Sequence, residues 1–431
     1  MKVLSKMASA RIMSKKNVFL TYLSTLVFIT TMFTLAEAQV FGPVKVSNSG
    51  NAAVNSEIAV FENGDCVVTW QEASADIKWR RLNSTGSAID NITQANINTG
   101  TMADPDVATS ANHCFATVWK ENLSGARCSD DCEGKYWLRE FDRDGVPIDT
   151  AMHINNSDLP EAHAEGPPFI TYGDIVEYDL DMPWWGVTWQ PDEPSPNSEN
   201  VHFNSYSSWI NYWVRVEQYR VPYGPIGIST MNSGEELRYI IFYKQPTCND
   251  FRARKVDRWG MLDPVIYTFT VPATGAICGS KATMNAPGRI GVVWVEHDGM
   301  SSEIFLQQYV LTGDEIQSYG SRREVLSTEE WVDNVAISPC GTGFAVAWDQ
   351  ADDWNGTASD IYVRRIYTTY MGGIKRIDND DDTEDIDPSL QLRGSMCYVS
   401  WTKTETGQSF GEIYASKINL GIQTPIIRVT Q

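Results

Sequence analysis

A short hydrophobic run ending on tryptophan recurs along the whole chain, and no other feature narrows the possible folds so far. The copies are Asp65-Cys-Val-Val-Thr-Trp70, Cys114-Phe-Ala-Thr-Val-Trp119, Trp185-Gly-Val-Thr-Trp189, Arg289-Ile-Gly-Val-Val-Trp294, Gly343-Phe-Ala-Val-Ala-Trp348 and Met396-Cys-Tyr-Val-Ser-Trp401. A seventh, Arg238-Tyr-Ile-Ile-Phe-Tyr243, has tyrosine in the tryptophan place. Successive aromatic ends lie 49, 70, 54, 51, 54 and 53 residues apart. A period near 50 in a strand-rich chain is the mark of a β-propeller. The expectation is an all-β fold, a seven-bladed β-propeller of four-stranded antiparallel blades.

Each repeat has the same parts. A segment with small residues opens it, as in Glu57-Ile-Ala-Val60, Asp106-Val-Ala-Thr109 and Asn334-Val-Ala-Ile337. A tight turn, the tryptophan-ended strand and a variable loop come after it. The third strand is next, as in Ile77-Lys-Trp-Arg-Arg-Leu82, Phe251-Arg-Ala-Arg-Lys-Val256 and Ile361-Tyr-Val-Arg-Arg-Ile366, with Tyr212-Trp-Val-Arg215 in the third repeat. Dense strands bounded by turn residues, with almost no helical periodicity, argue for β structure throughout. Blades crowd at an axis and diverge outward, so small residues such as Ala59, Ala108, Gly227 and Ala336 suit the inner strand. Bulky residues must then fill the widening wedge, because voids are costly. The tryptophans read as packing, and the arginine column Arg80, Arg139, Arg215, Arg254 and Arg364 reads as blade structure. Phe41–Ser47 and Gln423–Thr430 both resemble a fourth strand, and one of them is expected to close the ring and hide a sheet edge.

Residues 1–38 stand apart. Lys15-Lys16 precede an apolar stretch from Val18 to Leu35, and Ala36-Glu37-Ala38 is a small-x-small cleavage site. The expectation is a secretory signal peptide followed by one propeller domain over 39–431, with no membrane insertion after cleavage. The formal net charge is −21, and the leader is itself basic, so the remainder is more acidic still. Such a surface repels nucleic acid and anionic lipid. Eight cysteines in an exported chain favour disulfides. Cys128 and Cys132 are the most local pair, and Cys248 and Cys278 flank one connection between repeats. Cys66, Cys114 and Cys397 take similar places in their repeats, with Cys340 nearby, which leaves Cys66–Cys114 and Cys340–Cys397 as open pairings. Only five histidines occur, none at a zinc-ligand spacing. Asn83, Asn91, Asn122, Asn155 and Asn355 head glycosylation sequons.

The loops joining strands two and three share one face with those joining strand four to the next blade. Binding residues concentrate on loops held by a rigid scaffold. Three unusual segments fall there. The stretch from Gln190 to Asn211 reads as a long loop carrying His202, Phe203, Tyr206 and Trp209. These residue types suit stacking on a sugar ring or burial at an interface, or a lid folded on itself. Asp378, Asp380, Asp382 and Asp385 place hard oxygen ligands at near-alternating positions, a calcium candidate without the EF-hand glycine; a solvated acidic loop is the plainer reading. The third is the loop 120–135 around Cys128 and Cys132. Glu72, Glu121, Glu296 and Asp349 lie on the same face as scattered acids for acid–base chemistry. No nucleophile elbow, zincin motif or phosphate-binding glycine loop occurs.

Gly343-Phe-Ala-Val-Ala-Trp348 with Asp360-Ile-Tyr-Val-Arg-Arg365, and Asp104-Pro-Asp-Val-Ala108, resemble the repeats of secreted bacterial and marine propeller proteins. The resemblance covers residues 40 to 431 and implies an architecture and an extracellular setting. Sialidases share the propeller superfold, but their Ser-x-Asp-x-Gly-x-x-Trp box is missing from the turns. The reading is an exported binding, adhesion or extracellular structural protein working through its loop face. Its expected partners are a glycan, an extracellular protein or further copies of itself. The alternative is a secreted polysaccharide-active lyase or hydrolase with its site at the central channel.

Overall fold

Every aromatic-ended run forms the second strand of an antiparallel strand set, five of them in separate sheets and the last two in the halves of a larger one. The computed structural model describes residues 41–421 save for short segments, the longest being 123–134, 155–162, 193–200, 218–224, 245–249 and 352–357. Contacts divide the chain after Val40, and the fold is that of Phe41–Gln431. It is all-β, with no helix among the described residues.

The first sheet orders Ala53–Val60, Cys66–Glu72, Asp76–Leu82 and Thr93–Gln94, and the second Thr101–Thr109, Cys114–Asn122, Lys135–Asp142 and Met152–His153. The third runs Phe169–Glu177, Leu180–Trp189, Val201–Ser207 and Ile210–Glu217, the fourth Pro225–Ser233, Glu236–Lys244, Asp250–Asp257 and Leu262–Thr270. In the fifth, Ala276–Asn285, Arg289–His297 and Ser302–Thr312 are followed by two outer strands, Glu315–Ser318 and Arg323–Thr328, both paired to Ser302–Thr312. His163–Ala164 and Pro191–Asp192 pair as a small two-stranded sheet, and the other strands form one eight-stranded sheet whose halves begin at Val335–Cys340 and Thr383–Arg393. A single parallel pair, Ser359 with Glu384, joins those halves. Strand number therefore varies around the molecule where a uniform four was expected.

The first strands touch in a closed cycle. Ala53–Val60 lies against Thr101–Thr109, which meets Phe169–Glu177, and so on through Pro225–Ser233, Ala276–Asn285, Val335–Cys340 and Thr383–Arg393, which returns to Ala53–Val60. This is the radial arrangement of a β-propeller. The N-terminal segment closes it: Phe41–Lys45 pairs antiparallel with Glu412–Asn419 as the outermost strand of the last sheet.

The core is split into seams between neighbouring sheets. Trp119 packs with Ala59, Val67 and Trp79 of the sheet before it, Trp294 with Ile240, Phe242 and Phe251, and Trp348 with Val293, Val295 and Ile304. Trp70, Trp119, Trp189, Trp294, Trp348, Trp401 and Tyr243 are all fully buried. Complete burial of a side chain this large is among the strongest stabilising contributions a chain can make.

Third-strand polar residues stitch the seams. Arg80 donates to the Val46 carbonyl of the preceding sheet at 3.1 Å, Arg139 to Ala95 at 2.7 Å, Arg254 to Val216, and Arg364 to Val325 at 2.5 Å. In the third sheet this position belongs to Asn204, whose amide donates to Ile154 at 2.6 Å. Arg215 lies instead on the fourth strand, Ile210–Glu217, because Val201–Ser207 is the third.

Candidate functional site

The innermost strands meet around a cavity of about 390 Å³. Strand register decides which residues face it. Glu57 pairs with Thr69, Asp106 with Val118, Phe169 with Thr188 and Gly227 with Phe242. Lys281 pairs with Val293, Ala336 with Ala347 and Ser389 with Ser400. In every case the partner immediately precedes the seam tryptophan or Tyr243, so these residues form one level of the channel wall, and all of them line the cavity. Two residues further along the inner strands the wall is mostly hydroxyl and amide, with Thr171, Ser229, Thr283, Ser338 and Gln391 beside Ala108.

Bulges near the strand starts aim this level. The ladder slips between Val54 and Glu57, Ala103 and Asp106, and Ile386 and Ser389. Asn55, Asp104 and Asp387 take left-handed conformations there, with φ of 53°, 49° and 54°. Asn and Asp tolerate that region better than other side chains, and a bulge re-aims the side chains next along its strand. The amide of Asn55 donates to Asp104 at 3.1 Å, tying two bulges together.

Neighbouring inner strands are bridged by side chains. The Ile58 amide donates to Ser389 Oγ at 3.2 Å, Val60 to Gln391 Oε1 at 2.7 Å, Ile170 to Asp106 Oδ2 at 2.8 Å, Met284 to Ser229 Oγ at 2.9 Å and Leu392 to Ser338 Oγ at 2.9 Å. Asp106 Oδ1 also accepts from Val107 at 2.7 Å, so both its oxygens are engaged. Ser389 donates to one oxygen of Glu57. Lys281 Nζ sits 4.4 Å from the centre of the Phe169 ring, a cation–π approach. Between them Gly227 leaves a gap that no other residue can keep, since a Cβ there would meet the Ala282 carbonyl oxygen at 2.0 Å.

The level is electrically two-sided. Burial holds the Glu57 carboxyl above its ordinary range, Lys281 and the Ser389 hydroxyl oppose this, and Asp387 adds to it. Burial and then Glu57 push Asp106 up to about 8. Lys281 faces this acidic side across the cavity. The result is a well with acceptors on one wall, an ammonium on the other and a half-buried aromatic ring between. That chemistry suits a ligand presenting both hydroxyl groups and an apolar face.

The residues expected from sequence fall elsewhere. His202, Phe203 and Tyr206 lie on the strand Val201–Ser207 and are buried, which corrects the reading of Gln190–Asn211 as one exposed loop. His202 packs edge-on to Trp189 at 5.8 Å and Phe203 against Tyr239 at 5.0 Å. Trp209 lies outside the described residues, as do Asp380 and Asp382. Asp378 accepts from Arg376 at 3.2 Å and from the Ile361 amide at 3.3 Å. Asp385 accepts from the Trp401 indole at 2.8 Å and Thr383 at 3.0 Å. Among the described residues no group of three or more His, Cys, Asp or Glu is arranged to hold a metal.

The four scattered acids are engaged separately. Glu72 lies 3.9 Å from Lys78, and Glu121 accepts from the Trp137 indole at 2.6 Å. Glu296 accepts from Trp294 at 2.7 Å and the Gly275 amide at 2.8 Å, and Asp349 from the Asn334 amide at 2.8 Å. Cys66, Cys114, Cys340 and Cys397 are buried free thiols, so the pairings Cys66–Cys114 and Cys340–Cys397 are corrected; Cys66 and Cys114 sit in different seams, and Cys340 turns its sulfur to the Gly394 carbonyl at 3.2 Å. Cys128, Cys132 and Cys248 and the side chain of Cys278 lie outside the described residues, as do Asn155, Asn355 and the side chain of Asn122. Asn91 is exposed. Asn83 heads a turn in which its Oδ1 accepts from the Thr85 amide at 3.0 Å and hydroxyl at 2.7 Å.

No protein-family model matches the chain, and no curated protein matches it. Among solved structures it is similar to a protein of unknown function from Dyadobacter fermentans, at 8% identity and a TM-score of 0.50, over 89% of this chain and 98% of that one. It is also similar to the GH93 α-L-arabinofuranosidase of Fusarium graminearum, at 8% identity, a TM-score of 0.44 and coverage of 88% and 98%. The polysaccharide lyase Uly1 shows 10% identity and a TM-score of 0.46, over 87% of this chain and 92% of that one. Identity this low speaks to fold and not to activity.

Proposed function

We propose that the chain is a seven-bladed propeller of essentially four-stranded blades, exported by the leader 1–38, and that it works outside the cell as a glycan-binding protein. Residues 39–431 form its one domain, with Cys128–Cys132 and Cys248–Cys278 as candidate disulfides and the sequon asparagines as candidate glycosylation sites. The observation that carries the reading is the channel level of Glu57, Phe169 and Lys281. It offers acceptor, aromatic face and donor around a cavity of about 390 Å³, within the range of small-molecule pockets. An adhesive or matrix role follows if several such sites act together on one polymer, as multivalent binding strengthens without new contacts.

Glycan-array binding of the secreted protein, with calcium and with chelator, tests this. Wild type should bind a restricted set of glycans, and Lys281→Met and Glu57→Gln should weaken the signal by at least about tenfold. Absence of any wild-type signal overturns the reading. A calcium requirement would return Asp378–Asp385 to consideration.

Two carboxyls held above their ordinary range on one wall of the cavity, with Glu57 helping to raise Asp106, favour one second reading, a polysaccharide-active enzyme using them as acid and base. Against it, Asp106 has both oxygens committed to backbone amides. Reducing or unsaturated sugar released from a bound polymer would make the enzyme the better description.

A further inference from the structure

We propose that Lys281 seats an anionic group of the ligand, so that the sugar held in the channel carries a carboxylate or a sulfate. The inference rests on the glycan-binding reading and names the class of glycan.

The place of Lys281 in the cycle of inner strands is the first observation. Its strand, Ala276–Asn285, stands between Pro225–Ser233 and Val335–Cys340. At the channel level these neighbours present Gly227 and Ala336, neither of which has a side chain that can accept a hydrogen bond. The ammonium reaches past Gly227 to Phe169, one strand further on, where it lies 4.4 Å from the ring centre. Glu57 and Asp106 belong to the first and second inner strands, which in a cycle of seven stand opposite the fifth.

That arrangement leaves the ammonium without an acceptor. Among the described residues no oxygen is hydrogen-bonded to Lys281 Nζ, and no acid forms an ion pair with it within 4 Å. The Phe169 face attracts the charge and supplies no oxygen to its three N–H groups. Across the cavity, Asp106 gives both oxygens to the amides of Val107 and Ile170. Glu57 gives Oε2 to the Ser389 hydroxyl, and its Oε1 has no donor among the described residues. One open acceptor and one open cation thus line the same cavity from opposite walls.

The chemistry selects the occupant. Lys281 is half-buried, and a charge drawn out of water is costly to leave unpaired. A sugar hydroxyl would accept an N–H and leave the charge uncompensated. An anionic oxygen accepts it and cancels the charge, in a hydrogen bond roughly twice as strong. The acids opposite offer little resistance: burial and Glu57 hold Asp106 up to about 8, so at neutral pH that carboxyl is mostly protonated. The net charge of −21 is spread over the whole chain, and exposed charges beyond about 8 Å are screened at physiological salt. Glu57 Oε1 is left to accept from a hydroxyl of the same sugar.

The test uses arrayed glycans bearing a uronate or a sulfate, each beside its carboxyl-reduced or desulfated counterpart, with the full secreted protein as probe. Wild type should bind charged members, and neutralising the charge should cut the signal by at least about tenfold. Which of the two series responds tells carboxylate from sulfate. With the strongest member, calorimetric titration of Lys281→Met should bring the charged glycan down to the affinity of its neutral counterpart. Lys281→Arg should keep most of the preference, and Glu57→Gln should weaken both forms while leaving their ratio.

The neutralised glycans need no variant, so the comparison holds even if Lys281→Met folds poorly. Neutral counterparts that bind as well as charged ones overturn the inference, and so does a preference for charge that persists in Lys281→Met. In either case, binding that still needs Glu57 keeps the glycan reading. No binding of any glycan overturns both. Inorganic sulfate competing as strongly as the best charged glycan would keep Lys281 as an anion seat and overturn the glycan reading.

Discussion

At the scale of single residues, burial and a hydrogen bond to Asp378 push Asp360 up to about 7, against the pull of Arg376 and Tyr362. A carboxyl whose folded pKa is raised stabilises the fold below its unfolded value, and that stability is lost as pH rises through the folded one. Asp360→Asn keeps an N–H donor for Asp378 and cannot ionise. Its melting temperature should therefore fall less than that of wild type between about pH 4 and pH 8. Parallel melting curves across that window would show that the pair does not hold the proton. How far such residues are legible in sequence depends on whether their geometry repeats. The seam tryptophans are legible because each wedge between sheets imposes the same demand for volume. Glu57 and Asp106 are visible only as members of small-residue segments, and nothing in the pattern says that a bulge turns them into a cavity. His202, Phe203 and Tyr206 imitate an exposed loop because Val201–Ser207 alternates with polar residues that are themselves buried; Asn204, for one, is satisfied across a seam.

At the scale of elements, the closing strand is the clearest gain over sequence, which offers two candidate segments and no means of choosing. Phe41 pairs with Lys417, Val44 with Ala415 and Lys45 with Tyr414, and Lys45 forms an ion pair with Glu412. Val46 is next, wholly buried in the seam between the last and first sheets, and its carbonyl takes the Arg80 guanidinium. Removing residues 41–47 therefore strips an outer strand, opens a seam and takes one of its acceptors from half-buried Arg80 together. We expect a loss above about 4 kcal/mol, the range reached when such mechanisms combine. Denaturant unfolding of the shortened chain measures it, and a change under about 1 kcal/mol would mean that the strand is decorative. The turns that sequence marks by glycine do comparable work between sheets. Gly145, at a φ of 79°, lies so close to the Trp79 ring that a Cβ would come within 2.6 Å of it.

At the scale of the whole molecule, the apolar interior is a cycle of seams in which each sheet contributes to two. No sheet can leave without exposing both. Trp294→Ala should cost about 3–5 kcal/mol. Calorimetry should show one transition moved to lower temperature; a separate early transition would mean that the sheets unfold singly. The channel wall follows from the same plan, because strands converging on an axis stand too far apart for a backbone ladder, and side chains span the distance. Asp106, Ser229, Ser338, Ser389 and Gln391 each take an amide from the neighbouring strand. Phe169 and Lys281 cannot, since neither side chain is able to accept one. The wall thus divides into fixed masonry and replaceable facing. Natural variation or directed mutagenesis confined to Phe169 and Lys281 can rewrite what the well accepts while leaving every inter-strand tie in place.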